Sequence, residues 1–457
     1  MTQPPAPESY LRRLVPILCW CVFCSVLNGT MFNIAVPDIA RDFNLNAAAV
    51  SWIITGYIVI FALGAISYGK LADSYPVRNL LTVGLLLFST GALISLIAEN
   101  YPLLVTGRMI QASGGASIPA LVMIIATRFS PPEIRGRVLG AVAGTVALGM
   151  GLGPLVGGLL AGSIHWRWLF TLSFFTLPAI PLLARFLPRE ETRPLNFDLL
   201  GAAWLALLII LLLIGITLGQ PGALAASLPV LLILNRHLKT TPVPFIPRTL
   251  LQNRRYRNGL LVTFLAIGPI FGMLFAIPLL LRQVHGAETL IIGLAIFPGA
   301  FCASLAGLFG GRLADRLGTR PVSLYGLGLL ILGYLLLATL AQLSPLAVIL
   351  ILVLCYTGFA LLQPALGKTI SLLLPVDQSG IGMGFYNLVY FLSGAFGTAL
   401  IGSLLEFDLP SASWLGAQPM AGYRLTLSIL ALATGLAALI FWSSLRSVET
   451  DSSSRRM

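Results

Sequence analysis

Fourteen apolar stretches, most of them about 20 residues long or longer, divide this chain, with short polar turns between them. A helix rising about 1.5 Å per residue needs about 20 such residues to cross the hydrocarbon core of a bilayer. Segments at 14–36, 50–68, 79–98, 102–127, 138–163 and 166–187 meet that length, then 199–219, then 258–281, 287–310, 321–342, 344–366, 379–404 and 423–445. A shorter run at 222–236 follows Gln220-Pro221-Gly222. It counts as a crossing because the charge pattern needs two crossings there. With 57% hydrophobic and 10% charged residues, against about a quarter charged in soluble domains, the chain reads as an all-α integral membrane protein. The expected layout is fourteen transmembrane helices: two six-helix halves and an inserted pair. Residues 1–187 form the first half, 188–257 a linker with the inserted pair and a basic connector, 258–445 the second half, and 446–457 a polar tail.

The net charge of +12 raises nucleic acid as a partner, but its distribution argues for lipid instead. When loops are assigned alternately to the two sides, only Arg41, Arg108, Arg167, Arg282 and Arg424, of 28 Lys and Arg, fall away from the side of the N-terminus. Such a bias marks the cytoplasmic face and places both termini there. Arg236–Arg257, with Arg254-Arg255 and three prolines, reads as a connector lying on anionic headgroups. The five cysteines sit in apolar runs without metal-like spacing, so they read as small buried side chains. Arg12-Arg13 precedes an apolar run too long for a signal peptide, so it reads as an uncleaved first helix. No metal site, cofactor loop or catalytic constellation stands out; Gly367-Lys368-Thr369 lacks the upstream glycine of a phosphate cradle. An enzyme is not expected.

The turn Gly69-Lys70-Leu71-Ala72-Asp73-Ser74-Tyr75-Pro76-Val77-Arg78 returns, with Gly, a basic residue, Leu-Ala-Asp and a final Arg in register, as Gly311-Arg312-Leu313-Ala314-Asp315-Arg316-Leu317-Gly318-Thr319-Arg320. Each copy lies between the second and third helix of its half. Such repeats mean a chain built from similar halves that rock about a central site. The glycine permits close helix approach, and Asp73 or Asp315 can accept from a helix N-terminus. The turn then latches one state and releases the other; the plainer alternative is a charged turn that only fixes topology.

These turns resemble the signature loop of the major facilitator superfamily of transporters, with Ser74 and Pro76 departing from it. Gly149-Met150-Gly151-Leu152-Gly153-Pro154-Leu155-Val156-Gly157-Gly158 in the fifth segment resembles the Gly-Pro motif of its exporting branches. The first segment, Leu27-Asn28-Gly29-Thr30-Met31-Phe32-Asn33-Ile34-Ala35-Val36-Pro37, is similar to that of fourteen-helix drug:proton antiporters, as is Arg108-Met109-Ile110-Gln111-Ala112-Ser113-Gly114 in the fourth. Trp52 and Tyr57 fit too. The resemblance covers most of the first half, is nearest to Gram-positive-type tetracycline exporters, and is weaker in the second.

Those exporters carry carboxylates within helices 1, 5 and 13; here the matching positions hold Gly29, Met150 and Gly394. None of the sixteen Asp and Glu lies mid-segment, although a proton-coupled exporter normally holds a protonatable group at membrane depth. Asp38, His165 and Asp198 are the fallback candidates. Arg108 lies roughly 9 Å into its segment at about 1.5 Å per residue, where a charge is costly. Two readings stand: hydrogen bonding to helix-1 groups such as Asn28 or Asn33, or attraction of an anionic substrate. Gln363, Tyr386, Asn387 and Tyr390 are candidates for the cavity wall, with Tyr386 and Tyr390 on one face; the tyrosines read equally as interfacial anchors.

The expected function is export of small organic molecules, drugs included, across the bacterial inner membrane by a monomer, with protons as the coupling ion. Export of an endogenous anionic metabolite such as a siderophore, and a transport-inactive membrane sensor, are the alternatives.

Overall fold

The computed structural model describes residues 8–187, 190, 198–241, 250, 252–374, 379–406 and 420–444. Residues 188, 189, 191–197, 242–249 and 251 of the linker and its connector, and the tail expected above, lie outside them. The described residues fold into helices. In the first half these are α1 (Glu8–Asp42), α2 (Ala47–Leu71), α3 (Val77–Leu96), α4 (Tyr101–Gly115), α5 (Ser117–Phe129), α6 (Pro132–Ser163), a 3-10 segment (Trp166–Thr176) and α7 (Ala179–Phe186). The inserted pair is α8 (Leu199–Thr217) and α9 (Pro221–Thr240). The second half holds α10 (Arg254–His285), α11 (Thr289–Arg316), α12 (Thr319–Leu340), α13 (Pro345–Leu372), α14 (Ser379–Leu405) and α15 (Met420–Ser444).

Thirteen spans among the described residues are long and apolar enough to cross a membrane. The helix expected at 222–236 forms as α9 and packs against α8, but falls short of that standard; its last turns carry Arg236, His237 and Lys239. The fourth span is two helices end to end. Pro119 has no N–H for the Gly115 carbonyl and crowds it, which kinks the run, and the freed carbonyl accepts from Ser25 Oγ of α1 at 3.5 Å. Side chains cap the starts of several helices: Asn46 Oδ1 accepts from Ala49 N at 2.8 Å, and Asn100 Oδ1 from Leu103 N at 2.9 Å. Gly286, at φ 64°, ends α10 in the left-handed conformation that suits glycine.

The halves repeat one another in their packing. In the first, α1 packs on α6 and α3 on α4; in the second, α10 packs on α14 and α12 on α13. Two seams join them, α6 against α11 and α14 against α2, and exchanging the halves turns one seam into the other. The seams are close because glycines leave room. A Cβ on Gly158 would lie 2.8 Å from Gly293 Cα, and one on Gly402 would lie 3.0 Å from the Ala47 carbonyl oxygen. Small residues at helix contacts serve this purpose in lipid, where apolar side chains gain little by leaving the tails.

Both repeated turns lie at one end of the bundle. Lys368 Nζ, near the end of α13, donates to the Ala314 carbonyl of α11 at 3.4 Å. Tyr386 of α14 borders Gly367 of α13, and α14 runs antiparallel to α2, with Phe391 against Phe61 at 5.1 Å and Gly402 against Ser51. The ends of α2 and α11 that carry the turns therefore face the same way.

Candidate functional site

A cavity of about 740 Å³ lies between the halves. Thr30 and Asn33 of α1 and Met150 and Pro154 of α6 line it from the first half; Ser304 of α11, Tyr356 and Gln363 of α13, and Tyr386, Asn387 and Tyr390 of α14 line it from the second. It reaches Gly140, Gly307 and Gly367, toward the end that bears the repeated turns. Gln363 and Asn387 are exposed within it. Gln363 Nε2 donates to Tyr390 Oη at 3.3 Å. The Tyr390 ring meets Phe271 edge-on at 6.0 Å and stands 6.4 Å from Tyr386, so its plane is fixed from two sides.

The opposite end is shut. Asp38, buried near the end of α1, accepts from Arg282 Nη2 of α10 at 2.8 Å and from the Thr289 hydroxyl of α11 in a short hydrogen bond. Arg282 Nη2 also donates to Thr289 Oγ1 at 2.6 Å, and Arg41 lies 3.6 Å from the same carboxylate. On the other seam, Glu406 Oε1 of the α14 C-terminal turn accepts the Ala47 N–H at the start of α2 at 2.6 Å. Two carboxylates thus tie the halves together, Asp38 from α1 to α10 and α11 and Glu406 across the α14–α2 seam, and both ties lie on the side away from the turns.

Arg108 is not on the cavity wall. It is 2% exposed, and its guanidinium lies between the rings of Phe32 and Tyr57, 4.1 Å from each centroid. Nη1 donates to Asn28 Oδ1 at 3.1 Å and to Gln111 Oε1 at 2.8 Å. Both amides donate in turn to Ser173 Oγ of the 3-10 segment, at 3.2 and 2.8 Å. The cluster binds α1, α4 and the 3-10 segment together. Asn28, Gln111 and Tyr57 therefore sit around the arginine and not beside the cavity. Asn33, named as a possible partner of Arg108, faces the cavity instead. Trp52 also points elsewhere: its Nε1 donates to Thr217 Oγ1 of α8 at 3.0 Å. Ser173 and Phe32 were missed by sequence reasoning, because nothing in an apolar run shows which small hydroxyl or ring will meet a buried cation.

The Gly-Pro motif has two working faces. Gly149, Gly153 and Gly157 receive Val26, Thr30 and Met31 of α1, whereas Gly151 and Gly158 receive Ser304 and Gly293 of α11. Pro154 lies between them on the cavity wall. In the first repeated turn, Arg128 Nη2 donates to the Ala72 carbonyl at 3.2 Å, and Glu190 accepts from Arg128 at 2.9 Å and from Val77 N at 2.8 Å. Asp73 is exposed, while Gly69, Lys70 and Arg78 are partly so. In the second, Arg320 lies over the Trp442 ring at 4.4 Å; the side chains of Arg312 and Asp315, and the surroundings of Gly311, lie outside the described residues. Of the fallback acids and bases besides Asp38, His165 lies 3.3 Å from Asp42. Asp198 caps α8 through Gly201 N at 2.8 Å and meets His237 at 2.7 Å. At the positions where the resembling exporters hold carboxylates, Met150 lines the cavity, a Cβ on Gly394 would lie 2.8 Å from the Phe271 ring, and one on Gly29 would meet open space.

Residues 18–398 match the profile of the Major Facilitator Superfamily. The chain belongs to that superfamily. It is a multi-pass membrane transporter, not an enzyme. It is 26% identical over 414 residues to the uncharacterized transporter YebQ of Escherichia coli, covering 88% of this chain and 90% of that one. It is 25% identical to the riboflavin transporter RibZ of Clostridioides difficile, over 86% and 88% of the two chains. With a multidrug resistance protein B homolog of Mycobacterium tuberculosis it shares 29% identity, over 85% of this chain and 75% of the relative. Among solved structures, a bacterial homolog of the human lysosomal transporter Spinster superposes with a TM-score of 0.69 at 15% identity, covering 98% of this chain and 99% of that one. At that identity the likeness concerns the fold.

Proposed function

We propose that this transporter exports small organic molecules across the bacterial cytoplasmic membrane by alternating access, and that the structure is its inward-facing state. The observation that carries this reading is the asymmetry of the cavity. It reaches toward the end with the basic turns and is barred at the other by the Asp38–Arg282–Thr289 clasp and the Glu406–Ala47 bond. The positive-inside bias makes the turn-bearing end cytoplasmic, with both termini on that side. On this reading residues 1–187 and 258–445 rock against each other as a monomer, residues 188–257 join them, and the two repeated turns latch the inner end when it closes. The Gly-Pro motif and the multidrug-named relatives support export, drugs included; the riboflavin transporter among the relatives supports vitamin-like substrates equally.

Export of an anionic metabolite drawn by Arg108 is the weaker reading. Two amide oxygens accept from the guanidinium, two rings lie 4.1 Å from its centre and the residue is 2% exposed, so it offers an anion no approach from the cavity. Transport into everted vesicles tests the proposal. Riboflavin and ethidium should be offered separately, with the pH gradient and the membrane potential collapsed in turn. We expect energised accumulation of at least one, lost when the pH gradient is collapsed if protons drive it; no flux of either would refute the export reading.

A further inference from the structure

The cavity wall is mostly apolar, with a few uncharged polar groups set into it. Among the described residues that line it there is no Asp, Glu, Lys, Arg or His. Its polarity comes mainly from three side-chain amides, Asn33, Gln363 and Asn387, and from the hydroxyls of tyrosines including Tyr386 and Tyr390. Each amide offers both a donor and an acceptor. Asn33 and Asn387 make no side-chain hydrogen bond to another described residue, and Gln363 spends one donor on Tyr390. Beside the amides stand the rings of Tyr386, Tyr390 and Phe391, with Tyr390 set nearly perpendicular to Phe391 at 5.3 Å.

Building on the export reading, we propose that this cavity selects uncharged, flat aromatic molecules whose edges carry amide or imide groups. A donor–acceptor edge pairs with the free amides, and the rings take the flat face. A cation gains attraction to the tyrosine rings, but finds no carboxylate to replace the water it leaves, and an unpaired charge is costly to desolvate. An anion meets the same wall, because Arg108 is enclosed by Asn28, Gln111 and two rings. At about 740 Å³ the space admits a fused tricycle.

Three fluorescent tricycles test this with the purified full-length protein: lumichrome, which is neutral with an imide edge; ethidium, a cation; and fluorescein, an anion. Equilibrium binding should rank lumichrome at least about tenfold tighter than either ion, because a site whose polar groups are left unpaired rejects the wrong partner strongly. Gln363→Leu and Asn387→Leu should each weaken lumichrome several-fold more than they weaken ethidium. Gln363→Glu should raise ethidium affinity by about tenfold, since it supplies the missing counter-charge. Equal or tighter binding of ethidium or fluorescein to the unaltered protein, or failure of all three to bind, overturns the inference. If lumichrome binds as expected but neither it, riboflavin nor ethidium moves in energised everted vesicles, the selectivity stands and the export reading falls.

Discussion

Arg108 shows how a bilayer protein accommodates a charge at depth. Its hydrogen bonds to Asn28 and Gln111 are charge-assisted, and its two ring contacts each contribute up to about 2 kcal/mol when desolvated. Replacing it strands what surrounds it. Arg108→Leu would leave two buried amide oxygens without a donor, at about 1–3 kcal/mol each. We expect a clearly lowered midpoint of thermal unfolding in detergent, and a smaller loss for Arg108→Gln, which keeps a donor. If Arg108→Leu melts like the unaltered protein while losing transport, the arginine belongs to the binding machinery and not to the scaffold. The sequence made Arg108, Asn28 and Gln111 visible, because polar residues within apolar runs are costly and need partners. It offered Asn28 as a partner of Arg108, as the structure has it, but not Gln111 closing the other side, nor Ser173 arriving from the 3-10 segment to join both amides. Likewise Trp52, which the resemblance singled out, turns to α8, whereas Tyr386 and Tyr390, four residues apart on one helix face, both reach the cavity.

The elements owe their arrangement to where side chains are missing. On α6 the glycines at 149, 153 and 157 recur every fourth residue and face α1 within the same half, whereas Gly158 faces α11 across the seam. The two faces should respond differently to the same insult. A Cβ on Gly153 would stand 1.9 Å from Thr30 Oγ1, so Gly153→Val should destabilise the protein in either state by about 1–3 kcal/mol, as overpacking does. Gly158→Val crowds a contact that exists only while the seam is shut, so it should favour the outward-facing state with little loss of melting temperature. Thermal unfolding of the two variants, read beside labelling of an engineered cysteine at the clasp end, separates these effects; equal loss of stability in both would refute the assignment of faces. The glycine run was legible in the sequence, but its division between partners was not, since small-residue spacing alone does not name the neighbour. The kink before α5 was not read from the sequence, because a proline within a long apolar run is compatible with one continuous span in lipid.

The whole molecule follows from lengths and repetition. Apolar runs long enough to cross, and a turn heard twice, fixed the number of helices nearly and the twofold plan entirely, because lipid permits no other backbone arrangement for such runs than helices packed together. The weak point of that reasoning was α9, whose charged last turns leave too little apolar length. What length and repetition do not give is the state. That comes from the clasp, where one carboxylate of α1 meets α10 and α11, and from the cavity reaching the other way. If the halves rock, loosening one end closes the other. The most direct measurement is therefore a pair of spin-label distances in a variant lacking the five native cysteines, one between labels at Glu99 and Glu288 at the clasp end, the other between Tyr75 and Leu317 in the two repeated turns. The account predicts that Asp38→Asn lengthens the first distance and shortens the second; two distances that stay fixed, or that move in the same direction, would contradict it.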